Sequence, residues 1–457
     1  MPSSPEAERS QADDSRALKR LSLAVLGVGA LLQLWLSLRS WIYFDQILLY
    51  QLGIEGLSHR EFFPYAKAVS GSGVIPGALL EILVAAPLLL WFDLRSPIVA
   101  LGIAQFAAAL ILWRTTARIF DERAALAFTV VYWLGPWRLY HSGFLWEPTF
   151  LLLPAAVHFW ASLRLVDEAR WLPSFLLGAI AALSVQLHPS GIVLGVSTGL
   201  LWIGGRMRLK LTGSLVGAAL GSLTLLPTLG ALRAGQLPRA LPGGGWTDWG
   251  LFQVHPLLKD ALYWLRISSL DVGRRLRQVD LESPWIWIAG GLGVLGAASV
   301  VIALLANVRF LRRSMSTPEQ SFARLYSAAL LAAHVAAMAF SSVTPQGWHL
   351  LVLLHAACLP VALWLAEPSP PSRALRSAAA AFAVLRLPIV LILGLGHPMY
   401  DRPASDPNLS RVEEGRLDEL ELVPIPFGGD ASKRGPVPWE ADRDRVDEPG
   451  ASNPRPN

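Results

Sequence analysis

Apolar runs close to the length that crosses a bilayer recur along this chain from Leu21 to Gly396. A helix needs about 20 apolar residues to cross the hydrocarbon core, and short loops with Arg, Pro or Trp separate these runs. Of the 457 residues, 53% are hydrophobic and only 16% are charged, whereas a soluble domain has roughly 25% charged residues. The pattern predicts an all-α integral membrane protein, a polytopic helical bundle that occupies residues 21–396.

The first apolar run, residues 21–38, is too long for the apolar core of a cleaved signal peptide, and no small-x-small cleavage site follows it. We therefore expect a retained anchor that is preceded by a cytoplasmic tail over residues 1–20. Cys358 is the single cysteine and lies inside an apolar run, so it predicts neither an intramolecular disulfide nor a cysteine metal cluster.

The orientation follows from the basic loops, because loops rich in Arg and Lys stay in the cytoplasm. Basic clusters lie at residues 16–20, 114–123, 164–170, 206–210, 309–313 and 373–376. Three apolar runs separate the first two clusters, which would place every later cluster outside. The middle run, residues 75–92, contains Glu81 and Pro87, and we predict that it lies on or dips into the outer face without spanning. The result is about eleven spans, with the N-terminus inside and the C-terminal tail outside.

Unusual polar residues then collect at the outer face, in a first loop over residues 39–96 and a second over residues 234–283. In the second loop, "HPLLKDALYWLRISSL" repeats Leu at spacings of three and four and predicts an interfacial amphipathic helix. Residues 1–15 and the polar tail over residues 397–457 are predicted to be largely disordered. Six of the nine histidines fall at the outer face, namely His59, His141, His188, His255, His349 and His397.

The net charge of +5 is explained by this orientation, since no basic stripe is interleaved with exposed aromatics as in a nucleic-acid surface. We therefore expect no nucleic-acid partner. The chain also lacks a phosphate-binding glycine loop with lysine, a dinucleotide fingerprint, an H-E-x-x-H motif and a nucleophile elbow. These absences argue against nucleotide-driven chemistry in the cytosol.

Two outer carboxylates are the candidates for catalysis. Asp45 follows the first span, where partial desolvation by lipid and loop would suit a proton acceptor; a solvated loop acid or a helix cap is the structural alternative. Glu147 precedes Pro148 at the start of a span, a position that also suits the helix dipole. A second carboxylate across an outer cavity would suit the binding of a sugar or an amine.

Several cationic or polar side chains are candidates for substrate binding. Arg386 lies in the middle of a span, where a charge is costly and marks a functional cavity or an ion pair, and its guanidinium suits a phosphate. Snorkelling of Arg386 to the cytosol and simple packing of His188 are the structural alternatives. His158, His334 and His355 lie inside spans and are predicted to pack or to line them. The candidate substrate-binding residues are Arg138, His141, His188, Arg386, His59 and Arg60.

Four stretches carry a family resemblance: "SGSGVIPGALLEILVAAPLLLW", "ARIFDERAAL", "GPWRLYHSGFLWEPTFLLLP" and "ALSVQLHPSGIVLG". They resemble the lipid-sugar-dependent membrane glycosyltransferases with the C-type fold, in the family 39 branch of the protein O-mannosyltransferases and the lipid A aminoarabinose transferase. The resemblance covers roughly the first 205 residues. It implies an essential first-loop acid, a sugar donor carried on polyprenyl phosphate, and inversion at the anomeric centre. Family members often carry Asp-Glu where this chain has Asp45-Gln46, and Glu147 is the nearest match to an Asp in their later outer loop.

The resemblance gives Asp45 the role of base toward an acceptor hydroxyl, while Arg138 or Arg386 holds the leaving phosphate. The acceptor is a protein, a lipid or a glycan, and the sequence leaves open whether a divalent metal assists. One alternative is a transporter or flippase for a lipid-linked saccharide, although the paired halves typical of transporters are not evident. Another is a catalytically silent relative that binds lipid-linked sugar. The composition is typical of a bacterial inner membrane, with the active face in the periplasm.

Overall fold

The computed structural model describes residues 5–40, 44–59, 62–69, 73–91, 93–235, 254–280, 285–339, 346–367 and 373–400. Helices dominate these ranges, as the composition predicts. The α-helices are α1 (Pro5–Arg39), α2 (Phe44–His59), α3 (Leu79–Leu90), α4 (Arg95–Ile119), α5 (Glu122–Phe128), α6 (Pro136–Ser142), α7 (Leu152–Leu163), α8 (Trp171–Leu187), α9 (Ile192–Ile203), α10 (Leu211–Gly221), α11 (Leu226–Arg233), α12 (Val254–Ser268), α13 (Trp285–Arg312), α14 (Pro318–Ala339), α15 (Leu354–Leu365), α16 (Arg373–Val384) and α17 (Arg386–Gly396).

Within the described ranges, seven helical segments are long and apolar enough to cross a membrane, at residues 13–39, 95–119, 211–233, 285–312, 318–339, 347–365 and 377–396. The chain is therefore a multi-pass membrane protein with a polytopic helical bundle. The four remaining predicted spans coincide with shorter or interrupted helices, in α5 with the π-turn after it, α7, α8 and α9. The count of about eleven stays a prediction.

Short irregular helices interrupt the bundle where the sequence places Pro or Gly. A π-turn (Thr129–Trp133) follows α5, and 3₁₀-helices are found at Glu147–Leu151, Pro189–Gly191, Leu223–Leu225, Gly273–Gln278 and Gly347–Leu353. Pro148 and Pro189 sit in the first turns of two of them, where the missing N–H has no intrahelical acceptor to lose. A Cβ at Gly347 would lie 2.6 Å from Trp137 Cη2, so the 3₁₀-helix Gly347–Leu353 needs glycine at its start to pack closely against α6.

The first outer loop has structure of its own. After α2, strands β1 (Tyr65–Val69) and β2 (Gly73–Pro76) pair antiparallel, with Val69 opposite Gly73 and Tyr65 opposite Pro76. This hairpin is not evident from the sequence pattern. Helix α3 has 12 residues and so measures about 18 Å, short of the ~30 Å hydrocarbon core. Its length agrees with the prediction that residues 75–92 do not span.

Glu81 joins α3 to the rest of this loop. Its side chain is buried, and Oε2 accepts the backbone N–H of Phe63 at 2.8 Å. A Cβ at Gly56 would clash with Oε1, so a glycine on α2 makes room for the carboxyl. Burial raises the pKa of Glu81 to about 7, against the opposing effect of the Phe63 hydrogen bond.

The segment over residues 347–365 is the centre of the bundle, because 83% of its most apolar stretch is buried inside the protein. A chain of polar side chains connects it to its neighbours: His158 Nδ1 lies 2.8 Å from the Tyr326 hydroxyl, which lies 3.2 Å from His355 Nε2. Tyr326 thereby joins α7, α14 and α15. Cys358 is also buried in α15. The predicted packing roles of His158, His355 and Cys358 agree with these positions.

One prediction about the termini is wrong. Residues 5–15, expected to lack structure, begin α1, with Pro5 at its start and helix-favouring Glu, Ala, Gln and Arg after it. Residues 401–457, which hold nearly all of the predicted disordered tail, lie outside the described part of the chain.

Candidate functional site

A large cavity opens at the predicted outer face, between α12, the 3₁₀-helix Gly273–Gln278, α13 and the start of the central segment at Gly347. Its volume is about 1060 Å³. Basic side chains dominate its polar lining, and Asp271 is the one acid among the described residues that line it. The basic lining consists of Lys259, Arg266, Arg275 and Arg277.

Both carboxylate oxygens of Asp271 accept hydrogen bonds from residues that line the cavity. Its Oδ2 accepts from Arg266 Nε at 2.7 Å, and its Oδ1 accepts the backbone N–H of Gly273 at 2.6 Å. Gly273 has φ +63°, a backbone conformation that favours glycine, and a Cβ there would displace the Arg266 guanidinium, whose Nη2 would lie 2.2 Å away. The Asp271–Arg266 pair fixes the turn and leaves the other three cations without a carboxylate among the described residues.

Of these three cations, Arg275 is the best placed to bind an anionic ligand in the cavity. Its guanidinium carbon lies 5.0 Å from the centre of the Tyr140 ring, and Nη1 donates to Gln278 Oε1 at 3.2 Å. The aromatic face and the amide hold the side chain in place while leaving other N–H donors for a ligand. A cation held in this way suits an anionic group that enters the cavity.

The membrane side of the cavity is formed by one face of α13. Small and apolar residues line it at positions 286, 289, 290, 293, 294 and 297, a spacing that keeps all of them on one side of a helix. A Cβ at Gly290 or Gly293 would meet no atom within 4 Å. The cavity therefore extends for about 17 Å along this open face of α13, which we call the α13 groove, toward the interior of the membrane.

Helix α6 contributes Trp137 to the lining of the cavity, and further aromatic rings pack behind it. The His141 ring stacks on Trp137 with 4.9 Å between ring centres and lies 5.6 Å from Trp146. Neither ring nitrogen of His141 has a hydrogen-bond partner among the described residues. Burial, then the charges of Arg275 and His397, hold the pKa of His141 well below 6.5. A neutral imidazole is therefore kept at the edge of the site.

A second polar cluster lies where three 3₁₀-helices meet. Glu147 begins the first and is buried, with 3% of its surface exposed. His188 caps the second by accepting the Ser190 N–H at Nδ1, 3.2 Å away, and the His188 and His349 rings lie 5.7 Å apart. The predicted residues Glu147 and His188 thus lie on neighbouring elements, with His349 from the outer-face set beside them.

Asp260 and His334 extend the polar interior below this cluster, and neither was singled out as a site residue. Asp260 Oδ1 lies 3.3 Å from His334 Nε2, and both side chains are fully buried. The sequence did carry a signal, because Asp260, Trp264 and Ile267 recur at spacings of four and three on one face of α12. An acid on the apolar face of an amphipathic helix indicates a buried partner.

Arg138 and Arg386, which the sequence analysis predicts to hold phosphate, bind backbone carbonyls around the π-turn. Arg138 donates to the Trp133 carbonyl from Nε at 2.9 Å and from Nη2 at 2.7 Å. Arg386 donates from Nη1 to the Val131 carbonyl at 3.0 Å and from Nη2 to the Ser268 carbonyl at 3.2 Å. Both side chains are fully buried. A π-turn leaves carbonyls without their normal partners, and these two guanidiniums satisfy them.

The remaining candidates lie in or beside α2. Asp45 is its second residue and His59 its last, while Arg60 lies outside the described residues, as do the side chains of Asp45 and His59. The structure thus gives Asp45 a position at a helix start without giving its contacts. Among the described residues, no group of three His, Cys, Asp or Glu side chains is arranged to hold a metal ion.

Comparisons with known proteins find likeness in structure alone. No protein-family model and no curated protein matches the chain. ArnT from Cupriavidus metallidurans, solved with bound undecaprenyl phosphate, matches with a TM-score of 0.50 and 13% identity, over 83% of this chain and 74% of that one. The predicted C-type glycosyltransferase fold is confirmed by this likeness.

A second set of solved structures is the oligosaccharyltransferase AglB from Archaeoglobus fulgidus. The complex with an inhibitory peptide and a dolichol-phosphate has a TM-score of 0.44 and 14% identity over 89% of this chain. The chain spans 60% of the length of that enzyme.

Proposed function

We propose that this protein is a membrane glycosyltransferase that moves a sugar from a polyprenyl-phosphate donor to an acceptor hydroxyl at the outer face of the membrane. The observation that carries the proposal is the cavity of about 1060 Å³, whose basic rim continues into the α13 groove. A polyprenyl phosphate has the same two parts, an anionic head and a long apolar tail. The C-type fold shared with ArnT supports the reaction class.

The donor phosphate binds at the rim in this proposal. Arg275 and Lys259 are positively charged and have no carboxylate partner among the described residues. The guanidiniums of Arg138 and Arg386 already donate hydrogen bonds to backbone carbonyls. Because guanidinium and ammonium groups stabilise the charge that develops on a leaving phosphate, the rim serves in the transition state as well as in binding. The prenyl chain lies along Gly290 and Gly293.

Asp45 acts as the base in the transfer step. Its carboxylate takes the proton of the acceptor hydroxyl, the hydroxyl oxygen forms a bond to the sugar C1, and the bond from C1 to the phosphate oxygen breaks. The electron pair of that bond leaves with the polyprenyl phosphate. Glu147, beside His188 and His349, is a second carboxylate that orients the acceptor or the sugar. Attack opposite the leaving group inverts the anomeric centre.

The first test is transfer in proteoliposomes that hold the full chain and tritiated polyprenyl-phosphate mannose or a tritiated polyprenyl-phosphate pentose. We expect the wild type to pass label to added acceptors, drawn from peptides, lipids and glycans. Asp45→Asn should abolish transfer, because the base is lost. Arg275→Gln should raise the donor KM by about tenfold or more, the effect of losing a charge-assisted hydrogen bond.

Arg206→Gln is the matched control, since Arg206 is an exposed arginine at a predicted cytoplasmic loop. Its kinetics should equal those of the wild type. Transfer at the wild-type rate by Asp45→Asn would overturn the role of that acid. Label that crosses the bilayer while remaining on the donor in every sample would replace the transferase with a transporter for lipid-linked sugar.

A further inference from the structure

A second cavity lies at the opposite end of the bundle, where α4 and α7 end and α14 begins. Its volume is about 710 Å³. Helix α7 separates it from the outer cluster, because Glu147 precedes the start of α7 and Arg164 caps its far end. Under the positive-inside rule this end faces the cytoplasm. The cavity is therefore distinct from the proposed donor site.

Arginines converge on this cavity from two helix ends. Arg114 and Arg118 lie one turn apart on α4, and Arg164 and Arg170 follow α7. Like charges one turn apart on a helix repel each other, and burial together with the charges of Arg118 and Arg170 lowers the pKa of Arg164.

Acidic side chains offset part of this charge. Glu168 Oε2 lies 2.9 Å from Arg170 Nε, and Asp167 and Glu319 also line the cavity. Among the described residues, Arg114, Arg118 and Arg164 have no ion pair within salt-bridge distance. An anion bound among them would relieve their mutual repulsion.

The floor of the cavity is apolar and belongs to the ends of the helices. Ile111, Val157, Trp160 and Leu163 line it, and the Arg164 guanidinium lies 5.6 Å from the centre of the Trp160 ring. Tryptophan is typical of the interface between headgroups and acyl chains. A basic upper part above an apolar floor at a membrane surface matches the two ends of a phospholipid.

We infer that the cavity bounded by Arg114, Arg118 and Arg164 binds a phosphate group, supplied by the headgroup of an anionic lipid in the inner leaflet. Basic pockets between spans on the cytoplasmic side are the general form of such sites. The bound lipid joins α4, α7 and α14, and so stabilises the folded bundle by mass action.

The test uses the full chain in nanodiscs of phosphatidylcholine, with and without phosphatidylglycerol, and in phosphatidylcholine with added inorganic phosphate. The pocket variant is Arg114→Gln/Arg118→Gln/Arg164→Gln. The control, Arg206→Gln/Arg208→Gln/Lys210→Gln, removes the same charge from exposed positions at the same end of the bundle. Native mass spectrometry counts retained phosphatidylglycerol, and the midpoint of thermal unfolding reports stabilisation.

We expect wild type and control to retain phosphatidylglycerol and to unfold at a higher temperature in its presence, with both effects lost in the pocket variant. A rise in the unfolding midpoint with inorganic phosphate alone, absent from the pocket variant, would support the phosphate site while overturning the lipid as its source. Equal retention and an equal midpoint shift in all three proteins would overturn the site. A pocket variant that matches the wild-type midpoint in phosphatidylcholine alone verifies that it folds.

Discussion

Asp260 and His334 face each other inside the bundle, with 3.3 Å between Oδ1 and Nε2 and both side chains fully buried. In an apolar interior, an ionisable side chain needs a nearby partner of complementary chemistry to offset the cost of its burial, and each of these two side chains is placed to be that partner for the other. The pair joins α12, which carries Lys259 and Arg266, to the span α14, and so supports one wall of the cavity.

Removing either partner should therefore destabilise the protein. Asp260→Asn and His334→Gln each leave a buried group without its counterpart, at a cost of about 3–5 kcal/mol. The double variant should lose less than the sum of the single variants, with a coupling of about 0.5–3 kcal/mol. Thermal unfolding in detergent measures all four proteins. Strictly additive losses would mean that the two side chains do not interact.

Arg386→Lys should lower the stability rather than the affinity for the donor. A lysine cannot span both the Val131 and Ser268 carbonyls that the guanidinium joins, and each buried carbonyl left without a donor costs about 1–3 kcal/mol. The thermal midpoint should fall while the donor KM of the folded fraction stays near the wild-type value. An unchanged midpoint with a raised donor KM would return Arg386 to the phosphate role that the sequence indicates.

Larger side chains on α13 should raise the donor KM only at positions that line the α13 groove. Gly290→Leu or Gly293→Leu should fill the groove without a clash, since a Cβ at either position meets no atom within 4 Å. We expect the donor KM to rise by about tenfold, equivalent to ~1.4 kcal/mol, with little change in stability. Gly291→Leu is the matched control, because Gly291 has the same open surroundings and does not line the cavity. An equal effect at Gly291 would argue against a lipid path along this face.

The first outer loop should lose stability as the pH rises toward neutral. The pKa of Glu81 in the folded chain, about 7, lies above the ordinary 4.5, so the folded state binds this proton more tightly than the unfolded state does. Stability is therefore full below about pH 4.5 and declines until the pH passes about 7. The loss corresponds to roughly 1–3 kcal/mol.

Glu81→Gln tests this pH dependence, because an amide oxygen still accepts the Phe63 N–H while the titrating group is gone. The difference between thermal midpoints at about pH 5 and about pH 8 should shrink in the variant. Asp280→Asn, a change at an exposed acid, should leave that difference as in the wild type. A Glu81→Gln profile with the wild-type slope would assign the pH dependence to other groups.

The membrane class and several local features follow from the sequence alone. Apolar runs of about 20 residues permit only spanning helices in hydrocarbon, because all backbone polar groups must then pair within the segment. Pro148 and Pro189 mark helix starts, and the spacing of Leu258, Leu262 and Leu265 predicts α12, for reasons that act within a few residues. The short α3 is consistent with its Glu81 and Pro87, which disfavour a lipid-facing span. Glu147 and His188 were likewise placed at the same face by counting spans.

The partners of the buried charges were decided only by the tertiary structure. Nothing local in the sequence shows that Arg386 reaches the Val131 carbonyl, 255 residues away along the chain, or that Asp260 lies against His334. The hairpin β1–β2 was missed because its strands are short and gain their stability from packing on α2 and α3. A charged residue in an apolar segment indicates that some other group must compensate its charge. Which group compensates it depends on how distant helices pack, and that same packing gathers Lys259, Arg275 and the α13 groove into one cavity.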